Sequence, residues 1–263
     1  AEGNIVAWDH KIAGQSIMNK TELDETTVEG ASDLPYAISN RRVYAHQTEL
    51  PVPILWWRSV GHTHTAFAVE TFLDEMLEKA GKDPVEGRLA LLGEHPRHTA
   101  VLKKVAEIAG WGTPAPEGRQ RGVAVHKSFN TYVAEIAEVS IGEDGAPKVH
   151  KVWCAVDCGV AVNPNIIRAQ MEGGIGYGLG AILYDQITLG DGGRVVQSNF
   201  HDYRSLRINE MPEVEVAIIP SSEPPTGVGE PGTPPIGPAV ANAWRRLTGQ
   251  PVRRLPIVGN LVS

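Results

Sequence analysis

A chain of 263 residues with a formal net charge of −7 can build one large domain or two medium ones around genuine hydrophobic cores. That charge balance leaves no basic stripe to neutralise phosphates, which argues against non-specific nucleic-acid binding. No run approaches the roughly 20 consecutive apolar residues of a membrane span, and two cysteines are too few for a disulfide framework or a four-thiolate iron–sulfur site.

The chain opens in a strand pattern, Ile5 and Ala7 alternating with Val6 and Trp8, and no charged-then-apolar leader precedes it. It is therefore expected to begin inside a longer protein. Helical spacing follows over residues 65–77, with apolar positions at Phe67, Phe72/Leu73 and Met76/Leu77, and stops at Gly81. Asp83-Pro84 restarts a helix by cap and first-turn proline, and a third helix is predicted over 97–109, ending at Gly110. The segment 112–118 has the Pro/Gly density of an exposed joint, giving two expected lobes, 1–118 and 119–263.

Beyond the joint the pattern turns to strands at 122–126 and 131–139, with a hairpin turn at Gly142-Glu143-Asp144-Gly145 leading into a third at 148–153. Asn163 before Pro164 caps a further helix. A strand at 214–219, a helix at 239–247 and a short strand at Leu255-Pro256-Ile257 complete the pattern. Mixed strands and helices in this order predict an α+β fold. Arg245, Arg246, Arg253 and Arg254 read as a solvated helix end and strand, with an anion or partner contact as the alternative. Cys154 and Cys158 lie in and just after an apolar strand and read as buried structural thiols, a redox or metal pair being the other reading.

Three stretches stand out for chemistry. Gly173-Gly174-Ile175-Gly176-Tyr177-Gly178-Leu179-Gly180 looks like a dinucleotide fingerprint, but the glycines fall inside a helix instead of between a strand and a helix. Interior helical glycines each cost about 0.5–1 kcal/mol relative to alanine, so close approach of another backbone or of a bulky ligand is expected along that face. Gln170, at its start, can both donate and accept, although a lone helical glutamine is otherwise simply solvated. Trp56-Trp57-Arg58-Ser59-Val60-Gly61-His62 sets an arginine suited to an anion or a ring, while His62 and His64 lack a third ligand nearby and read as cap or core histidines. In Gly227-Val228-Gly229-Glu230-Pro231 the glycines allow close approach and the proline stiffens the loop, fixing one carboxylate before a helix. A general base needs such placement, and a surface turn with a capping glutamate would look the same.

Taken together, these stretches resemble the molybdenum hydroxylases of the xanthine oxidase/aldehyde oxidoreductase family. The Glu230 loop resembles their Gly-Val-Gly-Glu-Pro segment, and Trp57-Arg58-Ser59-Val60-Gly61 their aromatic-Arg-Gly-x-Gly segment. Val156-Asp157-Cys158-Gly159, Asn163-Pro164 and Gln170-Met171-Glu172-Gly173-Gly174 resemble a further block of motifs. Asn199-Phe200-His201-Asp202-Tyr203 is most similar to the isoquinoline 1-oxidoreductase β-subunit branch. The resemblance implies oxidation of an aldehyde or N-heterocycle with water-derived oxygen, Glu230 being the catalytic base. It further implies that Trp57, Arg58, Gln170 and Gly229 bind the cofactor, molybdopterin cytosine dinucleotide carrying oxo-sulfido molybdenum, with no side chain of this chain as a metal ligand. Implied partners are an N-terminal part of the large subunit bearing the absent Gly-Gln-Gly loop, a small subunit with [2Fe-2S] clusters, and a cytochrome c electron acceptor. Ser59 departs from the glycine more usual after the arginine. A catalytically silent assembly or cofactor-delivery fragment is the alternative, and the isolated chain is expected to be inactive on either reading.

Overall fold

The computed structural model describes residues 3–18 and 22–261, so Ala1 and Ser263, the ends of the two expected lobes, lie outside it. Strands β1 (Ala7–Gly14) and β2 (Asn40–Gln47) pair in parallel as a small separate sheet. Helices α1 (Gly61–Lys79), α2 (Pro84–Leu91) and α3 (Pro96–Ile108) follow. Asp83 caps α2 by accepting the Val85 and Glu86 N–H groups at 2.8 and 3.0 Å, satisfying donors that a helix start leaves open. Gly110, at φ 59°, closes α3 in the left-handed region.

The main sheet runs β3 (Arg119–Ser128), β4 (Thr131–Ile141), β5 (Pro147–Asp157) and β6 (Glu213–Ile218) in spatial order, the first three antiparallel and β6 parallel to β5. Helix α4 (Pro164–Leu183), capped by Asn163, lies between β5 and β6 in the chain, and α5 (Ile236–Thr248) follows β6. Helices cover both faces of the sheet. Val133, Ala137, Val152 and Val156 meet α4 and α5 through Met171, Ile175, Leu179, Ile236 and Val240. The alternate residues Val123, Val125, Ala134, Ile136 and Ala155 share a core with Val69, Leu73, Val101 and Leu102 of α1 and α3. The segment 112–118 thus joins helices to strands along the chain, while the helices before it pack on the sheet after it.

Two sequence expectations are corrected. Residues 255–257 form no strand: Pro256 has no N–H for a ladder, and the Ile257 N–H donates to the Ile182 carbonyl at 2.7 Å, at the end of α4. The cluster Arg245, Arg246, Arg253 is paired, not merely solvated. Arg245 and Arg246 both donate to Asp74 Oδ2, at 2.9 and 2.6 Å, and Arg253 pairs with Glu75. Asp74 also accepts from Arg88, which is itself fully buried and bound to Glu70 at 2.9 Å. This network ties α5 and α2 to α1. The pattern missed it because the acidic partners lie more than half the chain away.

Glu135, on β4 opposite Cys154, is fully buried; its carboxylate oxygens meet no nitrogen or oxygen donor among the described residues and face the Cys154 thiol. Burial pushes its carboxyl well above the usual range and also raises the Cys154 thiol, so both are neutral, structural groups. A carboxyl raised in the fold stabilises fully below its unfolded value of 4.5 and loses that stability as pH climbs towards the folded value. The expected slope is about 1.4 kcal/mol per pH unit. Urea unfolding of Glu135→Gln in the full-length subunit should lack that slope above pH 4.5; an unchanged slope would assign it to another group.

Candidate active site

Three segments remote in sequence converge beside the N-terminus of α1. The first is 57–60, where the chain enters α1 through two non-glycine residues with positive φ, Ser59 at 64° and Val60 at 49°. Val60 offers no side-chain cap, so Glu29 reaches across and its Oε1 accepts the Gly61 N–H at 2.8 Å, a carboxylate at a helix start where the dipole favours it. Burial raises the Glu29 carboxyl above its ordinary value, with the Gly61 and His62 N–H groups pulling the other way.

The second is the loop 219–230. It leaves β6 along the turn after β5: Val160 donates to Glu223 at 2.9 Å, Thr226 to Cys158 at 2.9 Å, and the Thr131 hydroxyl to Gly227 at 2.7 Å. Val228 packs down on the core while Gly227 and Gly229 remain exposed. Glu230 then starts a turn closed by the Thr233 N–H donating to its carbonyl at 2.9 Å.

The third is the glycine-rich face of α4. A β-carbon at Gly174 would stand 3.2 Å from Gly232 main-chain atoms, and one at Gly178 would press on Ile236. Close packing therefore accounts for those two positions. Gly173 is different: a β-carbon there would meet nothing within 4 Å.

Arg58, in the first segment, ties the three together. Its guanidinium donates to the Gly229 carbonyl from both Nε and a terminal nitrogen, and to the Gly173 carbonyl at 3.3 Å. It also lies over the Tyr177 ring at 5.1 Å, and Tyr177 stacks with Trp57 at 4.8 Å between centroids. The backbone N–H of Ser59 donates to Glu230 Oε2 at 3.2 Å, and the Ser59 hydroxyl donates to the Glu230 carbonyl at 2.9 Å. Gln170 stands at the rim, exposed and without a side-chain hydrogen bond among the described residues; a β-carbon at Gly229 would lie 3.8 Å from its Oε1. Trp57, Arg58, Gln170, Gly229 and Glu230 are thus brought together. His62 is not part of this group: it is buried against His126, Nδ1 to Nε2 2.9 Å, and burial lowers its pKa to about 4. An apolar cleft of 620 Å³, lined in part by Ile54, Trp57, Val60, Phe67, Ile182 and Pro234, borders the segment 57–60 and α4.

A family model of the molybdopterin cofactor-binding domain matches residues 95–212. The chain is 37% identical over 227 residues to isoquinoline 1-oxidoreductase subunit beta of Brevundimonas diminuta, covering 84% of this chain. The chain belongs to the xanthine oxidase family of molybdenum-binding subunits. It is also 31% identical over 277 residues to a membrane-bound aldehyde dehydrogenase of Gluconacetobacter polyoxogenes named for pyrroloquinoline quinone, covering 95% of this chain. Its fold matches quinoline 2-oxidoreductase from Pseudomonas putida 86 with a TM-score of 0.79 at 13% identity, over 97% of this chain and 59% of that one. The chain spans 29% and 36% of the lengths of the two curated relatives.

The residues present fit the family's cofactor. Arg58 bonds the carbonyls of both Gly173 and Gly229, and the backbone at these two glycines is bare, with open space beside Gly173 and Gln170 Oε1 3.8 Å from a β-carbon at Gly229. A flat group rich in acceptors and donors needs such an approach. Sequence reasoning missed Ser59 as a tie to Glu230, Tyr177 as the ring beneath Arg58, and Thr131 as an anchor of the loop. Tyr177 had a signal, since it stands one helical turn beyond Gly173; Ser59 and Thr131 had none.

Proposed function

We propose that this chain forms the proton-handling wall of a molybdenum hydroxylase that oxidises an aldehyde or N-heterocycle with oxygen drawn from water. The observation that carries the reading is the single carboxylate of Glu230, pinned through one oxygen by Ser59 beside Arg58, Gln170 and bare glycine backbone. When bound, the molybdenum cofactor supplies the two-electron oxidising centre. The chain's own residues bind, orient and move a proton. Arg58 and the Trp57 segment flank the cofactor, the Gly229 backbone lines the site, and Gln170 bonds the cofactor's polar edge. Glu230 Oε1, which has no hydrogen bond among the described residues, is the atom that accepts the proton as water-derived oxygen attacks the substrate carbon. A rigidly placed base of this kind contributes typically ~10²–10⁴ in rate.

On this reading the cofactor takes the cytosine dinucleotide form, [2Fe-2S] clusters on a partner subunit carry electrons away, and a cytochrome c is a candidate final acceptor. The isolated chain does not turn over. Metal and nucleotide analysis of the full-length subunit tests the reading: molybdenum with a released cytosine nucleotide supports it. Pyrroloquinoline quinone without molybdenum, as the name of one relative suggests for that protein, would sink it. Gln170→Ala should lower molybdenum content several-fold, on the order of one charge-free hydrogen bond, with the fold intact by circular dichroism. Full molybdenum content in that variant would remove Gln170 from the cofactor's contacts.

A further inference from the structure

Ser59 holds Glu230 at two points, and only one of them belongs to the backbone. Its N–H reaches carboxylate Oε2 at 3.2 Å and its hydroxyl reaches the Glu230 carbonyl at 2.9 Å. The residue is completely buried, so the hydroxyl has no water to exchange with. Its φ of 64° and the 49° of Val60 are conformations that side-chain-bearing residues adopt at a cost of order 1–3 kcal/mol each, and they persist where the surroundings dictate them. That backbone course aims the Ser59 N–H at the loop instead of along α1. The next residue before it, Arg58, grips the Gly229 carbonyl, so residues 58 and 59 clasp two consecutive carbonyls of the loop. Glu230 has one single-bond torsion more than an aspartate would, and among the described residues the hydrogen bond that limits where its carboxylate points is the one from Ser59.

We propose that Ser59 is the positioning residue for Glu230: its hydroxyl fixes the main chain at residue 230 while its N–H occupies Oε2, leaving Oε1 as the proton-accepting atom. The proposal rests on Glu230 being the base. The effect of the hydroxyl is transmitted wholly through Glu230 and does not involve cofactor binding. Removing a buried hydrogen bond of this kind corresponds to a rate effect of about fivefold to tenfold.

The test is a double-mutant cycle in the full-length, cofactor-loaded enzyme, with Ser59→Ala, Glu230→Gln and the pair. Ser59→Ala should lower kcat about fivefold to tenfold with KM within about twofold, because orientation at the reacting centre is lost and substrate binding is not. Molybdenum content should stay at the wild-type level. In the Glu230→Gln background the same substitution should change nothing beyond about twofold, since residues acting as one unit are not additive. Should Ser59→Ala not accumulate as folded protein, Ser59→Gly removes the same hydroxyl, keeps the N–H and relaxes the positive φ; it should show the same fall in kcat. An unchanged kcat overturns the proposal. So does an equal loss in both backgrounds, or a loss explained entirely by missing molybdenum. If Glu230→Gln is itself as active as wild type, the base reading has failed; if it is inactive while Ser59→Ala is normal, only the role of Ser59 has.

Discussion

Glu230→Gln in the full-length holoenzyme is expected to keep its molybdenum and lose turnover by ~10²–10⁴. The substitution is nearly isosteric, and the amide oxygen of glutamine can still accept the Ser59 N–H that now reaches Oε2 at 3.2 Å. The main-chain ties to Ser59 and Thr233 involve the Glu230 carbonyl and do not depend on the side chain. The loop should therefore keep its course, and the bare backbone at Gly173 and Gly229 should be unaltered. What disappears is the capacity to take a proton. Metal analysis and rapid-mixing reduction of the cofactor by substrate separate the two effects. Reduction at a near-normal rate would withdraw the base assignment.

The second large effect lies far from the site. Arg88→Met should destabilise the fold by about 3–5 kcal/mol, the range for breaking a buried ion pair by removing one partner. Arg88 is fully buried and donates to Glu70 Oε2 at 2.9 Å, to Asp74 Oδ1 at 3.0 Å and to the Glu70 carbonyl at 2.9 Å. Asp74 would retain Arg245 and Arg246, but among the described residues the Glu70 carboxylate would keep the Tyr36 hydroxyl and the Val125 N–H alone. The loss is thus dominated by one stranded carboxylate. Adding Glu70→Gln to Arg88→Met should recover part of it, because the amide leaves no buried charge. Urea unfolding of the full-length subunit, read as midpoint and slope, measures both steps. A double variant no more stable than Arg88→Met would mean that packing at position 88, not the pairing, sets the loss.

Much of the fold was legible in local pattern. Asp83-Pro84 and Asn163-Pro164 start their helices by caps that any reader of the sequence can name, and the alternating strands of the hairpins are seen where expected. The candidate site residues were named through the family resemblance of their motifs, and the structure brings them together; local backbone pattern alone left Glu230 equally readable as a surface turn. What stayed hidden depends on pairs far apart in the chain. Arg245 and Arg246 looked solvated because Asp74 is remote from them, and Glu135 looked like an ordinary polar position in a strand until helices proved to cover both faces of the sheet. The short strand expected at 255–257 failed because apolar alternation over three residues cannot tell a ladder from a packed turn.

The distance spanned by the clasp on Glu230 has a consequence for how the molecule comes together. The residues that hold it precede it by 171 positions. Contacts of that separation must bear the entropy of closing the intervening chain before they return anything, so they form after the hairpins and helix caps. If Glu230 is the base proposed above, its orientation is therefore a long-range property: it depends on a closure of 171 residues, and local structure in the loop alone does not supply it.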